Sequence, residues 1–135
     1  MRMTPANKIL YVTYCSAEKR LAVGEIAAVR RYKSQRIDEV FERAQANDVG
    51  FAILSGKYGL IDGQRTIPYY DHLLQMEEIE TITKKSIAFL EENDWENVVF
   101  FTRPLEEFPK LKPYHEVMIR SCEQTAINLS IRAYP

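Results

Sequence analysis

The loop around Lys57 carries the residue types best suited to holding a ligand. An apolar run, residues 49–54, ends there in small and polar residues, and Gly56 and Gly59 flank Lys57 and Tyr58. Glycine permits a positive φ and a close approach of the backbone to another group. A tight turn would explain the two glycines alone, whereas a lysine and a tyrosine between them favour a ligand site. We expect Lys57, together with Lys19, to hold a phosphate or polarise a carbonyl, and Tyr58 to stack on a base.

Asp71 is a candidate for acid–base chemistry. It follows Pro68, Tyr69 and Tyr70, and the proline restricts the backbone that leads to it. The carboxylate would orient a ribose or a base, or transfer a proton. Its alternative role is to cap the helix that follows.

Cys15 is a candidate nucleophile. It lies where the first apolar run gives way to a turn, a position at which a thiol can be activated. The alternative is a small buried hydrophobe, which is how free cysteines usually behave.

The elements that must position these residues are strands and amphipathic helices in alternation. Residues 8–14, 51–54 and 98–101 are apolar on both faces, as in the central strands of a parallel sheet. Two helical stripes lie between them; they are Ile37, Val40, Phe41 and Ala44, and then Ile79, Ile82, Thr83, Phe89 and Leu90. The order predicts a single α/β domain over residues 1–135, a three-layer Rossmann-like domain with a mostly parallel sheet.

Small polar groups and cations follow each of the three predicted strands. In an open parallel sheet, ligands bind outside the carboxyl ends of the strands. These ends therefore predict a site for an anionic or strongly hydrogen-bonding ligand such as a nucleotide. The candidate ligand-binding residues are Ser16, Lys19, Ser55, Gly56, Tyr58, Gly59, Thr102 and Arg103.

A basic segment precedes the first helical stripe. Tyr32 and Arg36 are spaced to share a helix face, and arginine with tyrosine suits phosphate contact and base stacking. The alternative is a solvated helix face. The candidate nucleic-acid surface consists of Arg30, Arg31, Tyr32, Lys33 and Arg36.

The C-terminal segment fits two patterns. Helical spacing runs from Tyr114 to Leu129 without a glycine or proline, whereas Ile127, Leu129 and Ile131 alternate like a half-buried strand. We favour a helix to about Leu129.

Composition excludes several classes of protein. The chain has 135 residues, 46% of them hydrophobic and 27% charged, and a net charge of −1, so bulk basicity does not indicate nucleic acid. Its two cysteines have no zinc-binding spacing, and the phosphate motifs GxxxxGK[ST] and GxGxxG are missing. No apolar run approaches the roughly 20 residues of a membrane span, and the N-terminus lacks a signal-peptide pattern. We predict a cytoplasmic protein with no membrane contact, no metal and no cofactor; the sequence leaves the oligomeric state open.

Three motifs in order resemble those of an uncharacterised bacterial family, whose members combine a CS-x-x-K start, an LSAKYGL loop and a PYD element. Here they read Cys15-Ser16-x-x-Lys19, then LSGKYGLI at residues 54–61, then IPYYD at residues 67–71. The peroxide-stress YaaA family has a similar loop and PY element, and a domain of archaeosine synthase has similar CS and YD elements. The resemblance covers roughly residues 8–75.

The resemblance implies chemistry on nucleic acids or nucleobases. YaaA-like proteins are associated with DNA binding and oxidative stress, and archaeosine synthase modifies a base in transfer RNA. Our leading hypothesis is a protein that binds a nucleotide or a nucleobase. In an enzymatic version of this hypothesis, the protein acts on a base or its glycosidic bond, and its catalytic residues are Lys57, Asp71 and Cys15. The alternatives are a non-enzymatic, stress-related nucleic-acid-binding protein and a protein-interaction domain.

Overall fold

The apolar runs of the sequence form the centre of a five-stranded sheet in a computed structural model that describes residues 8–134. The strands are β1 (Ile9–Tyr14), β2 (Ile26–Ala27), β3 (Gly50–Ser55), β4 (Gly59–Asp62), β5 (Thr66–Ile67), β6 (Asn97–Thr102) and β7 (Asn128–Ala133). The helices are α1 (Ala28–Arg31), α2 (Gln35–Ala46), α3 (Ile79–Leu90) and α4 (Lys112–Gln124), with short 3-10 turns at Met76–Glu78 and Pro109–Leu111. None of the helices within residues 8–134 has the length and apolar character needed to cross a membrane.

The sheet is parallel except at one edge. Its order is β4-β3-β1-β6-β7, and only the β3–β4 pair is antiparallel. The predicted α/β fold with a mostly parallel sheet is confirmed. The β3–β4 hairpin was not predicted, and it makes the Lys57 loop a hairpin turn rather than a strand-to-helix loop. Strands β2 and β5 form a separate two-stranded antiparallel sheet.

The two predicted helical stripes face the interior. In α2, Ile37, Val40 and Ala44 are buried, and the Ser34 side chain caps the helix by accepting a hydrogen bond from the backbone N–H of Ile37 at 3.2 Å. Helix α2 packs on β1 and β3. The second stripe forms α3, which packs on β4 and α4.

The sheet brings three predicted strand ends to one edge. Tyr14 at the end of β1 is in register with Leu54 in β3, and Thr13 is in register with Phe101 in β6. The backbone N–H of Cys15 continues the ladder by donating to the carbonyl of Leu54 at 3.0 Å. The residues that follow β1 therefore start beside the end of β3.

The favoured prediction for the C-terminus was wrong. Helix α4 ends at Gln124, and Ala126 has a positive φ of 58° that turns the chain out of the helix. Strand β7 then pairs in parallel with β6 along its whole length. The alternation of Ile127, Leu129 and Ile131 was the correct signal.

The predicted basic helix face was also wrong. Tyr32 and Arg36 do not share a helix, because α1 ends at Arg31 and α2 begins only at Gln35. Tyr32 instead forms an antiparallel bridge with Lys19. The exposed fractions of Arg31, Tyr32 and Arg36 are 0%, 1% and 6%, so these three side chains cannot form a solvent-facing surface.

The buried Arg31 explains part of this difference. Its guanidinium donates to the backbone carbonyls of Arg20 at 2.6 Å, Ala22 at 3.0 Å and Gly24 at 2.5 Å. Side-chain donors to three carbonyls satisfy a turn that has no regular secondary structure of its own. Arg31 therefore holds the turn after Lys19 in place rather than contacting solvent. Of the predicted nucleic-acid surface, Arg30 and Lys33 stay exposed.

Candidate functional site

Buried hydroxyls connect the ends of β1 and β3 with the segment before Asp71. The Tyr70 hydroxyl is hydrogen-bonded to Ser55 Oγ at 2.8 Å and to the Tyr32 hydroxyl. Cys15 Sγ lies 3.6 Å from the Tyr114 hydroxyl, which accepts from the backbone N–H of Leu74 at 3.2 Å. Residues from five separate segments are thus fixed around the end of the first strand.

Burial keeps these tyrosines protonated. Loss of solvation is the main cause that raises the pKa of Tyr32, Tyr70 and Tyr114, and the nearby Cys15 thiol adds to it. At neutral pH the three side chains are therefore neutral hydroxyls that donate and accept hydrogen bonds.

A small cavity of about 300 Å³ opens beside Cys15. Its size is at the lower end of the range for small-molecule sites. Apolar and aromatic side chains form much of its wall, together with two cations, an acid and a thiol. The lining residues are Tyr14, Cys15, Ser16, Ala17, Lys19, Arg36, Asp71, His72, Leu73, Leu111 and Tyr114.

Arg36 is the most strongly held cation of this cavity. Its guanidinium donates to Thr13 Oγ1 at 2.5 Å and to the carbonyls of Tyr14 at 2.6 Å and Cys15 at 3.3 Å. It also lies over the Tyr14 ring, 3.5 Å from the centroid. Loss of solvation lowers the pKa of Arg36 to about 10, so the side chain stays charged at neutral pH.

Lys19 is the second buried cation at this cavity, with an exposed fraction of 8%. Its ammonium lies 4.6 Å from the centroid of the Tyr70 ring and 5.8 Å from that of Tyr32. Its hydrogen-bond acceptor is the carbonyl of Ala17 at 3.4 Å. The tyrosine rings therefore position the ammonium, and they leave most of its donor capacity unused.

A larger cavity of about 630 Å³ lies on the other side of Asp71 and His72, which line both cavities. Gly56 and Lys57 reach it from the hairpin turn, and Glu78 reaches it from the turn before α3. Both carboxylate oxygens of Glu78 lie 2.9 Å from His72 Nε2. The backbone N–H of Gln75 is the main cause that lowers the pKa of Glu78, and His72 lowers it further.

Three residues of the predicted loop have structural roles. Ser55 is fully buried, and its Oγ accepts from the backbone N–H groups of Lys57 and Tyr58, both at 3.0 Å. A Cβ on Gly56 would lie 2.9 Å from the Tyr114 hydroxyl, so only glycine allows this close packing. Gly59 has a φ of +74°, which starts β4 after the turn.

Tyr58 lies away from the two cavities that contain Asp71. Its ring meets the edge of Tyr70 at 5.4 Å between centroids, and Lys57 and Arg65 lie over it at 5.4 and 5.1 Å. It lines a separate surface cavity with Arg65 and Lys85. The structure thus gives Tyr58 contacts within the protein, on the far side of Tyr70.

The third predicted strand end contributes to a different cavity. Thr102 is buried and hydrogen-bonded to His115 Nε2 at 2.7 Å. Arg103 lines a cavity of about 470 Å³ with Arg36 and Tyr134 among its walls, and its guanidinium lies 5.6 Å from the centroid of the Tyr134 ring. The structure therefore brings Cys15, Ser16, Lys19 and Asp71 together but leaves Thr102 and Arg103 apart from them.

Sequence reasoning did not assign site roles to three residues that shape the cavities: His72, Leu73 and Tyr114. It treated Tyr69 and Tyr70 as candidates to stack on a base, with one of the two in the core. The adjacent tyrosines contained a signal, since one of two neighbours in an extended segment points inward. Tyr70 is 6% exposed and Tyr69 is 48% exposed. Tyr114 lies on the helical stripe of α4 and was indistinguishable from an ordinary core residue. Within residues 8–134, the structure groups no three His, Cys, Asp or Glu side chains in a way that could hold a metal ion.

Comparisons with known proteins bear on the fold. No family model matches the chain, and no curated protein matches it. A solved structure described as "Crystal structure of AF0587, a protein of unknown function" is similar, with a TM-score of 0.52 and 16% sequence identity. The match covers 94% of this chain and 38% of that chain, so this chain spans well under half of its structural neighbour. At this identity the similarity shows a shared fold.

Proposed function

We propose that the protein binds a nucleotide or nucleobase in the small cavity beside Cys15. One observation carries the proposal: Cys15, Ser16 and Lys19 of the first motif line the same cavity as Asp71 of the third. That cavity lies at the carboxyl end of β1, where ligands bind in sheets of this kind. The motif resemblance to families that act on nucleic acids and nucleobases points in the same direction.

The walls of the cavity suit a flat, polar ring. Leu73, Leu111 and Tyr114 offer apolar and aromatic surface. Asp71 is exposed, and its carboxylate would accept hydrogen bonds from a base or a ribose. Few, well-placed polar groups in an apolar pocket are what orients a small ligand.

An enzymatic form of the proposal uses Asp71 as the acid or base. Asp71 lines both cavities, so a ligand that crossed from one to the other would pass its carboxylate. Cys15 would then act on the ligand from the small cavity, and Lys57 would act on it from the larger one. Release of free base from a nucleoside, followed by chromatography, tests this form separately from binding.

A thermal-shift titration with nucleosides and nucleotides tests the binding proposal. We expect a ligand-dependent rise in melting temperature that Asp71→Asn reduces. The matched control is Asp38→Asn, an exposed aspartate on α2 that lines none of the cavities described above. If no nucleoside or nucleotide raised the melting temperature of the wild-type protein, the proposal would be abandoned.

The burial of Arg31, Tyr32 and Arg36 removes most of the candidate surface for the alternative, nucleic-acid binding. For the fold, we extend the proposal to a three-layer, Rossmann-like arrangement. Helix α2 packing on β1 and β3, and α3 packing with α4, support two helical layers around the sheet.

A further inference from the structure

We propose that the ligand of the small cavity carries a phosphate, and that Lys19 and Arg36 bind it. This inference rests on the proposed function and makes it more specific, since it selects a nucleotide over a free base or nucleoside. The sequence pairs Lys19 with Lys57 for a phosphate, whereas the proposal pairs Lys19 with Arg36 at the end of β1 and leaves Lys57 out.

The two buried cations of the small cavity lack a balancing negative charge. Lys19 and Arg36 are 8% and 6% exposed, and both line the same cavity. In the part of the chain that the structure describes, the ion pairs are Lys8–Glu96, His72–Glu78, Lys84–Glu80 and Arg120–Glu116, so neither cation has a carboxylate partner. Buried charges are usually paired, because loss of hydration is costly. An anion between the two cations would supply the missing charge.

The contacts that Lys19 and Arg36 already make hold both cations at the cavity wall. Every hydrogen-bond acceptor of Arg36 is neutral, a hydroxyl or a backbone carbonyl, and these contacts fix the guanidinium at the cavity wall. Lys19 has one long hydrogen bond to a carbonyl at 3.4 Å and is otherwise held by aromatic rings. The two cations are therefore positioned in advance, and the lysine still has donors to offer a phosphate.

The other charged group at the cavity does not neutralise them. Asp71 also lines it, but it is exposed and makes no ion pair with either cation. Lys57 differs from both, because its side chain is exposed and lies in the larger cavity. An exposed lysine holds a phosphate less firmly than a buried, fixed cation does, since water screens its charge.

Calorimetric titration of a nucleoside, its 5′-monophosphate and inorganic phosphate tests the proposal. We expect the monophosphate to bind at least about tenfold more tightly than the nucleoside, the effect of one or more charge-assisted hydrogen bonds. Lys19→Met, which keeps the side-chain length without the charge, should bring the affinity for the monophosphate down to that for the nucleoside. Lys84→Met, at an exposed lysine of α3, is the matched control and should change neither affinity.

Three results would overturn the inference while nucleotide binding stood. They are equal affinity for nucleoside and monophosphate, a phosphate advantage that survives in Lys19→Met, and an advantage that disappears in Lys57→Met instead. If Lys19→Met did not fold, competition of inorganic phosphate with the monophosphate on the wild-type protein would replace it, and failure to compete would count against the inference.

Failure of the proposed function gives a different result. If the wild-type protein bound neither nucleoside nor nucleotide but bound inorganic phosphate through Lys19, the anion site would stand and the nucleotide assignment would fall. If it bound none of the three, both would be rejected.

Discussion

Tyr70→Phe tests whether the buried hydroxyl network holds the site together. The substitution removes one oxygen that is bonded to Ser55 Oγ at 2.8 Å and to the Tyr32 hydroxyl. Each such bond contributes about 0.5–1.5 kcal/mol net, and Tyr32, which is 1% exposed, would keep a buried hydroxyl without this partner. The sum is a loss of about 1–3 kcal/mol in the free energy of unfolding.

Urea denaturation measures this loss, and Tyr69→Phe is its matched control. The control makes the same chemical change one residue away, on a side chain that is 48% exposed, and it should stay within about 0.5 kcal/mol of wild type. A double-mutant cycle with Ser55→Ala should show coupling between the two hydroxyls of at least about 0.5 kcal/mol. Equal effects of Tyr70→Phe and Tyr69→Phe would refute the network.

Three further predictions address the hairpin, a cysteine and a histidine. Gly59→Ala should lower the free energy of unfolding by about 1–3 kcal/mol, because φ is +74° and a Cβ would lie 2.9 Å from the Cβ of Lys85. An unchanged midpoint of urea denaturation would contradict this prediction. Burial raises the pKa of the Cys122 thiol to about 12, so iodoacetamide should not alkylate Cys122 in the native protein at pH 8. Peptide mass mapping measures the labelling, and rapid labelling of the native protein would contradict the prediction. Burial lowers the pKa of His115 in the folded protein, so the unfolded state takes up the proton at a higher pH than the folded state does. The free energy of unfolding should therefore fall as the pH drops below about 6.5, the ordinary pKa of histidine. An NMR titration in which folded His115 was protonated at or above that pH would contradict this prediction.

The sequence by itself determined the three central strands of the sheet and the position of their ends. Short runs that are apolar on both faces have no stable alternative to burial between other elements, so β1, β3 and β6 follow from local pattern. Helical spacing did the same for α2 and α3. Since parallel strands end at one edge, the grouping of Cys15, Ser16 and Lys19 near the β3 hairpin could be expected in advance.

The tertiary structure decided which charges are buried and where two elements end. Arg31 and Arg36 look like surface residues in sequence, and they are buried because backbone carbonyls from other segments accept hydrogen bonds from their guanidinium groups. Strand β7 exists because β6 offers it a parallel edge, a long-range contact that local propensity does not encode. The local sequence pattern limits which secondary structures a segment can form. The packing of segments that are remote in sequence then selects the form in which the segment's charges and backbone groups have partners.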